Sequence, residues 1–241
     1  MSYRALVLFD IDGSLVRRAG PHHREALIAG VRKVTGIETT TDGIPVQGML
    51  DPVILSMMMR RAGLPRAAIR RAMPEIVRAA ERYYLRVCPA LEDKHCPGAG
   101  PALAKLERRG ILLGLVTGNL TRIGWRKLQR AGLGVHFRFG AFGEMAGTRG
   151  ALARLAIREA RRQGWIARDA PVSLIGDSLA DVLAARQNRI RAIAVATGLT
   201  PKQDLEALQP DYLLRDLRQL RLRMVESALL NPAAVRRAKP A

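Results

Sequence analysis

A chain of 241 residues with 48% apolar and 25% charged side chains has the composition of a globular protein, long enough for one sizeable α/β domain with a small insertion. Lys and Arg number 40 against 21 Asp and Glu, a formal net charge of +19, which favours polyanions and disfavours cationic ligands. Aromatic residues make up only 4%, so stacking platforms for RNA or single strands are scarce and a dedicated nucleic-acid partner is disfavoured.

The first element is ALVLF at residues 5–9, five apolar residues of strand length without the alternation of a half-exposed strand. It is too short for a secretory or membrane segment and no other stretch has the length of a bilayer span, so a cytoplasmic protein with no membrane attachment is expected. The run passes directly into Asp10-Ile11-Asp12-Gly13-Ser14. Ionised carboxylates beside a buried strand require a compensating partner.

From Pro21 to about Lys94 no strand pattern is visible. Residues 52–62, 66–73 and 74–87 read as helices, with Gly63-Leu64-Pro65 and Met73-Pro74 as the stops between them. His22 and His23, at the junction with this block, could reach a substrate but read more simply as a solvated helix start, and Met57-Met58-Met59 as the core or substrate-facing surface of this helical block. Cys88 and Cys96 are too few for a disulfide framework, and His95 beside Cys96 is a weak metal signal. Cys96 to Pro101, rich in Gly and Pro, marks a return to the main domain.

Beyond it, short apolar runs alternate with helical stretches. ILLGLV at 111–116 leads into Thr117-Gly118-Asn119. Residues 151–163 place Leu152, Leu155 and Ala156 on one side of a helix and Arg154, Arg158, Arg161 and Arg162 on the other. The run at 172–175 leads into Gly176-Asp177-Ser178-Leu179-Ala180-Asp181, and a fourth run covers 190–195. From about Arg215 the chain reads as helical and arginine-rich, with RRAKPA as a frayed tail. Buried strands alternating with helices predict an α/β fold with a doubly wound parallel sheet, built from residues 1–20 and 95–241. Residues 21–94 form a small all-helical cap inserted after the first strand.

Ligands of open parallel sheets sit beyond the carboxyl ends of the strands, and three of these ends carry oxygen-bearing side chains. Such groups suit metal-assisted phosphoryl transfer. Hard oxygen ligands favour Mg²⁺, and an ion shared by Asp10 and Asp177 neutralises their charge. Asp10, at the strand tip, suits a nucleophile, and Asp12 a group that gives and takes the proton. Thr117 can donate to a phosphoryl oxygen. Asp181, one helical turn after Asp177, shares its face.

These residues resemble the haloacid dehalogenase-like (HAD) hydrolase superfamily over nearly the whole chain. DIDGS at 10–14 matches its first motif, VTGN at 116–119 resembles the second, and GDSLAD at 176–181 matches the fourth. The insert looks like the type-1 cap of the phosphoglycolate phosphatase and β-phosphoglucomutase group. The resemblance implies a HAD-like Rossmannoid core and an aspartyl-phosphate on Asp10. Mg²⁺ would be held by Asp10, the Asp12 backbone carbonyl and Asp177, with Asp181 supporting and Gly118 and Asn119 beside the phosphate.

The third motif departs from the family, because the stretch GEMAGTRGALARLAI has no lysine. Arg149 at a helix start is one candidate for the missing cation, and its position calls for an anionic neighbour. Lys127, on the helix after Asn119, is the other. Gly48-Met49-Leu50-Asp51 resembles a G-[KR]-x-D stretch with Met49 in place of the cation, so no substrate identity carries over. The expected function is a Mg²⁺-dependent phosphatase acting on a small phosphorylated metabolite. Its alternatives are a phosphomutase on the same scaffold, or a basic polyanion-binding protein with subsidiary phosphatase activity. These residues leave oligomeric state open.

Overall fold

Four continuous apolar runs become the middle of a single six-stranded sheet in the computed structural model, which describes residues 2–226. The strands are β1 (Ala5–Phe9), β2 (Ile111–Val116), β3 (Phe139–Ala141), β4 (Val172–Gly176), β5 (Arg191–Val195) and β6 (Tyr212–Leu214). They lie in the order β3-β2-β1-β4-β5-β6, and every pairing is parallel. All residues of β1, β2, β4 and β5 are buried, as expected for strands covered on both faces.

Alternate residues of β1 serve different layers. Ala5, Val7 and Phe9 pack with Leu103 and Leu106 of α4 (Ala99–Arg108) and with Ile123 and Leu128 of α5 (Thr121–Arg130). Leu6 and Leu8 pack with Leu152 and Ala156 of α6 (Arg149–Arg162) and with Val182 and Ala185 of α7 (Leu179–Gln187). The result is the expected three-layer, doubly wound arrangement. In α6 the buried stripe is Leu152, Ala153, Ala156, Ile157 and Ala160, while Leu155 is exposed. The helix starts two residues before the sequence-based boundary.

The insertion after β1 is helical: α1 (His22–Thr35), α2 (Asp51–Arg61) and α3 (Arg66–Val87). Its entry and exit run side by side. Val16 and His95 form an antiparallel bridge, the Arg17 N–H donates to the Lys94 carbonyl (2.8 Å), and the Cys96 N–H donates to the Leu15 carbonyl (2.9 Å). Met58 and Met59 are buried among the insert's apolar residues. His95 contacts the Ala131 carbonyl through Nε2 (2.6 Å), a structural contact.

The stop expected at Met73-Pro74 is absent, and α3 continues through Pro74 for 22 residues. Proline removes the hydrogen bond to the carbonyl four residues back. Here both Arg70 and Pro74 are exposed, so that carbonyl lies on the solvated face. The buried stripe of Ile69, Ile76, Ala80 and Tyr84 holds the helix together on the other face. After β6, the chain forms a short α-helix, α9 (Arg223–Glu226), following α8 (Lys202–Ala207). The RRAKPA tail lies outside the described residues. No helix among them is long and apolar enough to cross a membrane.

Candidate active site

Because the strands are parallel, β1, β2 and β4 send the residues that follow them to one edge of the sheet. There one carboxylate oxygen each from Asp10, Asp177 and Asp181 lies within 4.8 Å of the others, and all three residues are buried. Asp181 comes from the first turn of α7, where its Oδ2 accepts from the Ser178 backbone N–H (3.1 Å) and hydroxyl (2.7 Å). The Ser14 hydroxyl donates to Asp177 Oδ1 at 3.1 Å. Gly13 has φ +80°, and a Cβ there would overlap the Asp177 carboxylate. Both the turn out of β1 and the close approach of β4's end require glycine.

Arg149, the first residue of α6, is buried against these carboxylates. Its Nη1 lies 3.0 Å from Asp10 Oδ1 and 3.0 Å from Asp181 Oδ1. A cation at a helix N-terminus meets the unfavourable end of the helix dipole, and the two carboxylates are the anionic neighbours that offset it. Burial pushes the Asp10 carboxyl up to about 6, against the pull of Arg149 and with added repulsion from Asp181 and Asp12. Burial, followed by repulsion from Asp10 and Asp181, pushes Asp177 up to about 8. Arg149 is held more firmly protonated: burial opposes its charge, but Asp10 and Asp181 outweigh it.

The donor set fits a hard divalent cation. Asp10 Oδ1 and Asp181 Oδ1 are buried, share one Arg149 nitrogen as their ion-pair partner and accept no other hydrogen bond. Three carboxylates against one guanidinium leave an excess of two negative charges when all are ionised. Buried charge of this kind needs a counter-ion, and carboxylate oxygens select Mg²⁺-like ions over soft metals.

A second cluster surrounds Asp12, whose side chain is 44% exposed. Lys127, on α5 and 1% exposed, donates from Nζ to Asp12 Oδ1 (2.7 Å) and Oδ2 (2.6 Å) and to Asn119 Oδ1 (2.7 Å). Asn119 Nδ2 donates to Asp12 Oδ2 (2.8 Å) and to Thr117 Oγ1 (2.7 Å). Burial opposes ionisation of Asp12, but the charge of Lys127 and hydrogen bonds from Lys127 and Asn119 prevail, so its carboxyl lies below the usual range. Lys127 Nζ also lies 3.0 Å from His23 Nδ1, and His23 Nε2 lies 2.8 Å from Asp51 Oδ2.

The insert is fastened over this edge. The Asp51 backbone N–H donates to the Gly118 carbonyl (2.8 Å), and Asp51 Oδ2 accepts from the Leu120 N–H (2.8 Å). Arg149 Nη2 donates to the Gly48 carbonyl at 3.3 Å. A Cβ on Gly118 would overlap the Met49 carbonyl, so a larger residue there would lift the segment off the site.

The sequence-predicted residues thus fall into two adjoining groups. Asp10, Asp177, Asp181 and Arg149 make the first, and Asp12, Asn119 and Lys127 the second. Thr117 is buried and joins the second through Asn119. Arg149 and Lys127 are not rivals for one position, since Arg149 reaches Asp10 and Lys127 reaches Asp12. His23 departs from its expected solvated role, because the fold brings it between Lys127 and Asp51, 104 and 28 residues away in sequence. Ser14 and Asp51 were visible within their motifs, but their contacts depend on segments far along the chain.

An acid cluster on the carboxyl edge of a parallel sheet, under a helical insert, lies where open α/β folds bind their ligands. A haloacid dehalogenase-like hydrolase family model matches residues 5–188, and the chain belongs to that family of hydrolases. It is 36% identical over 158 residues to a phosphoglycolate phosphatase of Synechococcus elongatus, covering 65% of this chain and 69% of that protein. A phosphoglycolate phosphatase of Agrobacterium fabrum is 28% identical over 235 residues, covering 95% and 96% of the two chains. Among solved structures, CbbY from Rhodobacter sphaeroides in complex with phosphate superimposes with a TM-score of 0.70 at 21% identity, covering 93% of this chain and all of that one.

Proposed function

We propose that this hydrolase is a Mg²⁺-dependent phosphatase that cleaves the monoester of a small phosphorylated metabolite through an aspartyl-phosphate on Asp10. The observation that carries this reading is the buried trio Asp10, Asp177 and Asp181, whose three carboxylates face a single guanidinium, that of Arg149. The names of the relatives, phosphoglycolate phosphatases, support the substrate class.

In this reading Asp10 attacks phosphorus, the P–O bond to the leaving alcohol breaks, and Asp12, which must first be protonated by the hydrolytic water of the preceding turnover, gives that alkoxide its proton. Asp12 then takes a proton from the water that hydrolyses the acyl phosphate, regenerating Asp10 and releasing phosphate. Thr117 Oγ1 accepts from the Asn119 side chain and backbone N–H, which leaves its O–H to donate to a phosphoryl oxygen, together with the Gly118 backbone N–H. Arg149 takes the place of the family's lysine, balancing Asp10 and the phosphoryl oxygens while Asp181 anchors it. Asp10, Asp177 and the Asp12 carbonyl would hold Mg²⁺, which when bound supplies charge neutralisation for the phosphoryl group. Residues 21–94 serve as the cap over the main domain, and its 48–51 segment excludes water from the site.

The test is phosphate release from a panel of phosphomonoesters that includes 2-phosphoglycolate, with Mg²⁺ or with EDTA, for wild type and Asp10→Asn. Release that requires Mg²⁺ and is abolished in the variant is expected. Equal rates for variant and wild type would remove Asp10 as nucleophile.

A further inference from the structure

Lys127 is an unusual residue to find in the interior. A buried ammonium is stable only when each of its three N–H groups is matched. Here the matches can be counted: the Asp12 carboxylate, Asn119 Oδ1 and His23 Nδ1 lie at 2.6–3.0 Å. An ammonium has no lone pair, so His23 Nδ1 must accept from it, and the ring proton sits on Nε2, which donates to Asp51. The three donors are fully used, and none remains for a substrate phosphate. These contacts of Lys127 include no member of the Asp10 trio, which is met by Arg149.

We propose that Lys127 is the positioning residue for Asp12: it fixes the carboxylate that exchanges protons with the leaving oxygen and the attacking water, rather than binding phosphate. Asn119 braces the same carboxylate from the side. His23 ties Lys127 to Asp51, on the helical insert, so the grip on Asp12 is complete with the 48–51 segment seated. This assignment rests on the reading of Asp12 as the proton-transfer group.

A positioning role for a proton donor has a signature that phosphate binding and simple structural support lack: its importance depends on the leaving group. An alkoxide leaving group needs protonation, whereas p-nitrophenolate departs without it. For Lys127→Met, kcat/KM on an alkyl phosphate is expected to fall about 100-fold, within the usual range for losing general acid catalysis, while p-nitrophenyl phosphate changes by less than about 3-fold. Asp12→Asn should show the same selectivity, and the Asp12→Asn/Lys127→Met double variant should lose no more than Asp12→Asn alone. Lys127→Gln, run alongside with circular dichroism and thermal melts of each variant, keeps the comparison on folded protein.

Equal losses on both esters, unchanged rates on both, or losses that multiply in the double variant would overturn the proposal. A wild type that hydrolyses neither ester would instead remove the phosphatase reading beneath it.

Discussion

Replacing Asp177 by Asn should stabilise the metal-free protein, and increasingly so as pH rises. The carboxyl is pushed up from 3.8 to about 8 by burial and by the charges of Asp10 and Asp181. A group with a raised native pKa contributes stability that is complete below the unfolded value and is lost as pH rises through the native one. Between pH 5 and pH 8 the native protein therefore keeps a proton that the unfolded chain has released. At about 1.4 kcal/mol per pH unit this interval bounds the loss at about 4 kcal/mol. Sharing of the proton with Asp10 and the amide's own desolvation reduce the expected gain in Asp177→Asn to about 2 kcal/mol at pH 8, or about 4–8 °C for a domain of this size. The assay is a pair of melting series in EDTA at pH 5 and pH 8, repeated with Mg²⁺. The variant-minus-wild-type difference should grow with pH in EDTA and reverse in Mg²⁺, because only wild type retains the full ligand set. A difference in EDTA that stays constant across pH would refute the electrostatic reasoning.

Two further substitutions probe the insert. Asp51→Ala strips acceptors from the Leu120 N–H and His23 and should lower stability by about 2–3 kcal/mol, read by urea unfolding; a change under about 0.5 kcal/mol would mean that water replaces these contacts freely. Pro74→Ala restores a helix N–H on the exposed side of α3 and should stabilise the protein by about 1–2 kcal/mol, with an unchanged or lower melting temperature counting against the account given for that helix.

The central strands were legible because burial on both faces leaves an uninterrupted apolar run, as in Ala5–Phe9 and Ile111–Val116. The strands β3 and β6 left no such trace. Each has three residues, sits at a sheet edge and is only partly buried, and Gly140 further weakens the pattern in β3. Pro74 misled because a proline rule describes local cost, whereas the α3 stripe that overrides it is tertiary. In the site, the strand-end carboxylates could be read because parallel topology alone brings them together. Arg149 could be anticipated from its clash with the helix dipole. His23 could not, since no local pattern separates a histidine on a wet helix start from one lodged between Lys127 and Asp51. That difference lies in contacts spanning most of the chain.

The position of β1 also has a consequence for synthesis. This strand precedes the other five strands in the chain, yet it sits in the middle of the sheet with β2 on one side and β4 on the other. Its earliest neighbour begins at Ile111 and the second at Val172. Until Val172 and its neighbours are made, an apolar strand with an open edge must wait for its second partner. Such a segment is a target for wrong pairing and for chaperones. Asp10 meets Asp177 and Arg149 only when the last of these pairings closes, so a nascent or truncated chain carries Asp10 without its neighbours.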